Sequence, residues 1–267
     1  MKGNPRKIYR MGRGSAQRMK TEAVNRLDGI IRRSKRIVFF GGAGVSTGSG
    51  IPDFRSAAGL YAGEFEGMPP EMILSRDFFY LQPEIFFDFY RKHMLHPDAR
   101  PNAAHRFLFE LERQDILRGI VTQNIDGLHK RAGNIRVYEL HGSVYENHCM
   151  ECNAFYPMEA ILNSTGIPRC ECGGVIRPDV VLYGEPLEKY VCIGARREIA
   201  NADTLIVAGT SLAVEPAASF TEDFAGKHLV IINKEPTPAD ARAELVIRDD
   251  VSEVFRVLLQ ADRSHGL

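Results

Sequence analysis

No apolar run in this sequence of 267 residues approaches the roughly 20 that a bilayer-spanning helix needs. Excess charge is missing as well. The 34 Lys and Arg residues match 34 Asp and Glu, so nothing global points to nucleic acid or an acidic membrane surface. Repeats and long low-complexity tracts are absent, and the chain reads as one large domain, or one domain carrying a smaller insertion. Acids are lacking from residues 1–18, where Lys2, Arg6, Lys7, Arg10, Arg13 and Arg18 fall. An apolar core is lacking there too, which rules out a secretory signal, and the amphipathic pattern of an organellar transit peptide is poor. Residues 1–19 are expected to be a disordered basic extension, with the working chain beginning at Met19. Cysteine is scarce and odd in number: five, of which four form two tight pairs. That fits a metal site in a reducing compartment better than a disulfide framework, so a cytoplasmic setting is expected.

What is present centres on residues 41–55, G-G-A-G-V-S-T-G-S-G-I-P-D-F-R. The β-branched and aromatic run before it, Ile37-Val38-Phe39-Phe40, predicts a buried strand. Five glycines let the following backbone turn sharply and approach a ligand, and free N–H groups in such a turn can cradle a pyrophosphate. The tail Ile51-Pro52-Asp53-Phe54-Arg55 is not what an ordinary helix after such a turn would carry.

Helical spacing of Ala23, Leu27, Ile30 and Ile31 predicts a helix over 20–33. Residues 56–101 are rich in Phe and punctuated by proline, which predicts a lid of short helices whose rings are core rather than a ligand cage. Helices are further expected over 103–114, 188–200, 215–225 and 251–259, and strands over 116–122, 137–140, 204–208, 229–233 and 245–247. Alternation of this kind argues an α/β fold with a doubly wound, largely parallel sheet.

Four cysteines read Cys149-x-x-Cys152, then Cys170-x-Cys172-Gly173-Gly174, a set of soft ligands for one tetrahedral structural zinc ion. The loop between the pairs has one base and no stacking platform, so direct nucleic-acid binding is not expected. Cys192 reads as a core thiol. Gln123-Asn124-Ile125-Asp126 and His141-Gly142 each follow a strand, where open α/β sheets bind ligands. An amide, a carboxylate and an imidazole there could fix a ribose and place a general base beside it. Gly209-Thr210-Ser211-Leu212 and Ile232-Asn233-Lys234 add polar groups to the same sheet edge, which suggests a long ligand lying across it. A dehydrogenase reading fails: Thr47 replaces the third glycine of the dinucleotide motif, and the ribose-binding acid about 20 residues on is missing.

Taken together, residues 42–55, 122–129, 141–142, the paired cysteines, 209–212 and 232–234 resemble the sirtuins, NAD-dependent protein-lysine deacylases, in family order over about 25–260. The resemblance implies a Rossmann-like NAD-binding domain (20–57, 105–143 and 183–262). It also implies a smaller domain made of a helical lid (58–104) and a zinc module (144–182). It implies NAD as co-substrate and Zn2+ as a structural ion on Cys149, Cys152, Cys170 and Cys172. His141 would be the general base, with Asn124 and Asp126 as catalytic partners. Ala43, Thr47, Ile51, Asp53, Phe54, Arg55, Gln123, Ile125, Thr210, Ser211, Asn233 and Val251 would complete the NAD site. An acetylated protein would add as a strand along Val181, Leu182, Tyr183 and Gly184, with Val214 opposite.

Two departures stand out. Tyr183 replaces the family's usual phenylalanine in the peptide loop. After Tyr61 comes Ala62-Gly63-Glu64, so the Tyr-x-x-Arg pair that takes acidic acyl groups is missing, and acetyl or other uncharged groups are favoured. A monomer without membrane contact is expected. The alternatives are a protein mono-ADP-ribosyltransferase, or a non-catalytic module that binds NAD or ADP-ribose.

Overall fold

The computed structural model describes residues 13–54, 59–60 and 63–264; Arg55 and Tyr61, on which two of the readings above rest, lie outside them. Helix α1 (Arg13–Arg33) leads into β1 (Ile37–Gly41). Three short helices, α2 (Pro70–Ile73), α3 (Arg76–Leu81) and α4 (Pro83–His93), precede α5 (Ala103–Arg113) and β2 (Leu117–Thr122). Then come α6 (Leu128–Ala132), β3 (Val137–Glu139), β4 (Gly142–Cys149), β5 (Phe155–Tyr156), α7 (Met158–Leu162) and β6 (Ile176–Val180). The remainder alternates α8 (Lys189–Ala200), β7 (Thr204–Ala208), β8 (His228–Ile232), β9 (Leu245–Ile247) and α9 (Val251–Ser264).

The larger sheet runs β3-β2-β1-β7-β8-β9, with every pairing parallel. Strand order reverses between β1 and β7, the doubly wound arrangement in which a crevice opens beyond the strand ends. β1 is buried on both faces, as its unbroken apolar run requires. Ile37 and Phe39 face the core built with α1, α5 and α9; Val38 and Phe40 face the one built with α8. No helix among the described residues is long and apolar enough to cross a membrane.

Two expected elements are corrected. Helix α1 starts at Arg13 rather than at residue 20, so the stretch 13–19 is helical and not disordered. Ala16, Gln17, Arg18, Met19 and Lys20 are all good helix formers, which extends the helix backwards from its apolar stripe. Residues 1–12 of the basic extension lie outside the described residues. Residues 215–225 form only a 3-10 turn, Ala218–Asp223. There Ser219 and Thr221 hydroxyls donate to the carbonyls of Pro216 and Ala218, three residues back, and compete with helical bonding.

A second sheet, β5-β4-β6, is antiparallel and packs with α2, α3, α4 and α7 around a third core. Phe78, Phe79, Phe86, Phe87, Phe89 and Tyr90 are buried in it, as core-packing aromatics should be. Cys192 sits at the edge of the α8 core, half-buried.

Between α5 and α6 two histidines, His105 and His129, are buried with ring centroids 4.6 Å apart. Burial pushes His105 down to about 3 and holds His129 well below the usual imidazole range. Both therefore bind protons more weakly folded than unfolded, so stability is complete above pH 6.5 and falls as the pH drops below it. His105 alone should cost about 2 kcal/mol at pH 5. Urea midpoints measured at pH 7.5 and 5 should fall further in the wild type than in His105→Gln; equal slopes would contradict this.

Candidate active site

The carboxyl ends of β1, β2, β7 and β8 open into one cavity of about 640 Å³, within the range of small-molecule sites. After β1 the chain makes two 3-10 turns, Ala43–Val45 and Thr47–Ser49, instead of a helix. This loop sits against the one after β7, where the Gly44 N–H donates to the Gly209 carbonyl at 2.8 Å. A Cβ on Gly44 would fall 2.7 Å from the Gly209 Cα, so only glycine lets the two loops meet at the strand-order reversal.

Ala43, Thr47, Asp53 and Phe54 line the cavity from the first loop, and Gln123, Asn124, Ile125 and His141 from the β2 and β3 ends. Thr210, Ser211, Asn233 and Val251 line its far side, while Val181, Leu182, Tyr183, Gly184 and Val214 form its mouth. Two expected site residues do not line it. Ile51 lies outside the lining, and so does the half-buried Asp126, which accepts Ser46 Oγ–H at 2.6 Å and the Leu128 N–H at 2.9 Å. Burial pushes the Asp126 carboxyl up, while those two bonds pull it down. Ser46 Oγ also accepts from Asn124 Nδ2 at 3.1 Å, so Ser46 couples the glycine loop to the Asn124 loop.

His141 is the centre of this geometry. Its Nδ1 lies 2.8 Å from the Gln123 carbonyl oxygen. A carbonyl can only accept, so Nδ1 carries the proton and Nε2 keeps its lone pair. Burial lowers the His141 pKa below 6.5, against the smaller opposing pull of that bond, and keeps the ring neutral at pH 7. Gly142 follows because nothing larger fits: its φ is +77°, and a Cβ would lie 1.9 Å from the Asp179 carbonyl oxygen. Beside His141, Gln123 Oε1 accepts from Thr210 Oγ1 at 3.4 Å while its Nε2 is buried without a partner.

The Sir2 family model matches residues 42–216, which carry the glycine loop, the Asn124 loop, His141 and the cysteines. The chain belongs to the Sir2 family. An NAD-dependent protein deacetylase of Clostridium perfringens is 52% identical over 88% of this chain and 97% of its own. One from Clostridium acetobutylicum is 49% identical over 89% and 98%. Among solved structures, a Sir2-p53 peptide-NAD+ complex superposes with a TM-score of 0.79 at 37% identity, covering 90% of this chain and 99% of that one. Sir2 bound to acetylated peptide gives 0.78 at 35%, covering 90% and 98%.

In this Sir2-family chain the ligand atoms of Cys149, Cys152, Cys170 and Cys172 lie within 4.8 Å of one another. Four thiolates about 2.3 Å from a tetrahedral ion would be spaced roughly 3.8 Å apart, so the set fits zinc. Tyr156 donates to Cys170 Sγ at 3.1 Å and orients that ligand. The module is wired to the cavity: β4 starts at Gly142 and ends at Cys149, and the Val181 N–H beyond β6 donates to the His141 carbonyl at 2.9 Å.

Sequence reasoning missed several residues. Leu74, Tyr90 and Met94 of the lid join Val180 and Leu182 as an apolar wall, with no motif to announce them. Glu185, at the end of the segment expected to take the peptide, lines the cavity too; it accepts Arg177 Nη2 through both carboxylate oxygens at 2.7 Å and the Leu182 N–H at 2.9 Å, which fixes that segment. Ser46 was legible only as a small residue in a glycine loop.

Proposed function

We propose that this chain removes acetyl and other uncharged acyl groups from protein lysines, consuming NAD and releasing nicotinamide, O-acyl-ADP-ribose and free lysine. The observation that carries the reading is the neutral His141, its Nδ1 pinned to the Gln123 carbonyl, in the wall of a cavity lined by both polar loops and apolar side chains. The names of the relatives, and the NAD and acetylated-peptide complexes of the solved Sir2 structures, point the same way.

Ala43, Thr47, Gln123, Thr210, Ser211, Asn233 and Val251 hold the dinucleotide in this reading. Arg55 and Ile51 are assigned to the same site by motif position. Asp53 faces the cationic nicotinamide ring, and Asn124 orients the adjoining ribose. Asp126 acts by fixing Ser46. His141 Nε2 takes the proton from a ribose hydroxyl as that hydroxyl attacks the activated acyl carbon. A peptide strand adds along 181–184 and pairs with the loop at Val214. One edge of the 181–184 segment is already used, since Tyr183 N–H donates to Leu74 and its carbonyl accepts from Arg76.

Acyl preference follows from charge. Among the described residues lining the cavity, Lys234 is the one Lys or Arg, and it lies 2.8 Å from Asp250. Asp53, Glu185, Glu215, Glu235, Asp249 and Asp250 line it too. Among these described residues a carboxylate on the acyl group meets several acids and only a lysine already paired with Asp250. In a panel of acyl-lysine peptides with NAD, acetyl should therefore react roughly tenfold or more faster than succinyl. A succinyl peptide reacting faster would contradict this.

A further inference from the structure

Asn102 and His129 carry no role in the reaction outlined above, yet both are buried beside the loops that do. Asn102 caps α5: its Oδ1 accepts the Ala104 N–H at 2.9 Å. The other arm of its amide points out of the helix. Asn102 Nδ2 donates to the Val45 carbonyl at 2.8 Å and to Ser49 Oγ at 3.0 Å, at the ends of the two turns of the glycine loop. Helix α9 packs against the same loop. A Cβ on Gly48 would fall 2.3 Å from Ser252 Oγ, which Asp250 Oδ1 holds at 2.8 Å.

The cap itself has a buried footing. The Asn102 N–H donates to His105 Nδ1 at 3.2 Å, so the neutral His105 ring must carry its proton on Nε2. That nitrogen is buried without a partner, and so are both nitrogens of His129, whose ring centroid is 4.6 Å away. His129 stands on α6, next to Leu128, whose N–H donates to Asp126. A strut thus runs by hydrogen bonds from the glycine loop through Asn102 to His105, and on by ring packing to His129, beside the loop carrying Asn124 and Asp126.

We propose that Asn102 is a positioning residue for the NAD reaction: its Nδ2 fork holds the 43–50 loop in the shape that receives the cofactor, on the footing of the His105–His129 pair. The proposal rests on the NAD-consuming reading of the cavity. It differs from simple helix capping, because a cap needs only an acceptor for Ala104, whereas the strut needs a donor for Val45 and Ser49.

Serine separates the two roles. Ser is a cap of about the same rank as Asn, but it lacks the second arm. Asn102→Ser should keep the thermal midpoint close to wild type, while Asn102→Ala lowers it. Both should raise KM for NAD roughly tenfold, leaving KM for the acyl peptide and kcat within about threefold. A wild-type KM for NAD in Asn102→Ser overturns the proposal, whatever its thermal midpoint. If the wild type consumes no NAD with any acyl peptide, the functional reading fails instead. Calorimetric titration with NAD then tests the strut separately, and equal affinities of wild type and Asn102→Ser overturn it.

Discussion

His141→Ala should lower the rate of lysine deacylation by roughly 10²–10⁴-fold, the range a positioned general base supplies. NAD affinity should stay within about threefold, because His141 is one of many residues lining the cavity, and the residues proposed to hold the dinucleotide lie mostly on the β1, β7 and β8 loops. The pH profile gives the same test a second readout. Burial holds the His141 pKa below 6.5, and only the neutral ring can accept a proton. Wild-type kcat/KM should therefore be flat at pH 7 and fall on acidification with a midpoint below 6.5, a limb His141→Ala lacks. Full turnover in His141→Ala, or a wild-type limb centred well above 6.5, would contradict the assignment.

Loss of the metal should be nearly as damaging. Cys170→Ser, or thorough chelation, is expected to abolish turnover as well as lower the thermal midpoint. The physical reason is connectivity. The strand that begins beside His141 ends on Cys149, and the strand that follows Cys172 leads to Val181, whose N–H is bonded to the His141 carbonyl. Structural zinc sites contribute about 10–16 kcal/mol of apparent binding energy in small peptides, comparable to the whole stability of a domain. The three-stranded sheet should lose its order without the ion, taking the base and the peptide edge with it. Metal analysis should find one zinc per chain. Full activity in a metal-free protein would show that the module is peripheral.

Much of this was legible because the signals are local. β1 advertises itself as an apolar run buried on both faces, and the glycines after it meet the requirement for two loops to touch where strand order reverses. The cysteine spacing pointed to the metal set, and His141-Gly142 pointed to the candidate base with the one residue type that fits after it. What escaped depends on contacts distant in sequence. Ser46 acquires meaning only when Asp126 and Asn124, 80 and 78 residues away, fold against it. Asn102 looks like an ordinary helix cap until Val45 and Ser49 reach its second arm. The bond from Ser46 Oγ to Asp126, likewise, has no local signal in the sequence. The turn at 218–223 was misread because periodicity counts apolar positions and ignores hydroxyls that take backbone carbonyls.

The proposed reaction is one acyl transfer, from lysine to the ribose of NAD. Incubation with NAD and an acetyl-lysine peptide, with every product weighed by mass spectrometry, tests it most directly. Nicotinamide, free-lysine peptide and O-acetyl-ADP-ribose should appear in equal amounts, and none of them without the acetyl peptide. Nicotinamide released at the same rate without that peptide, with ADP-ribose appearing on protein side chains, would contradict it.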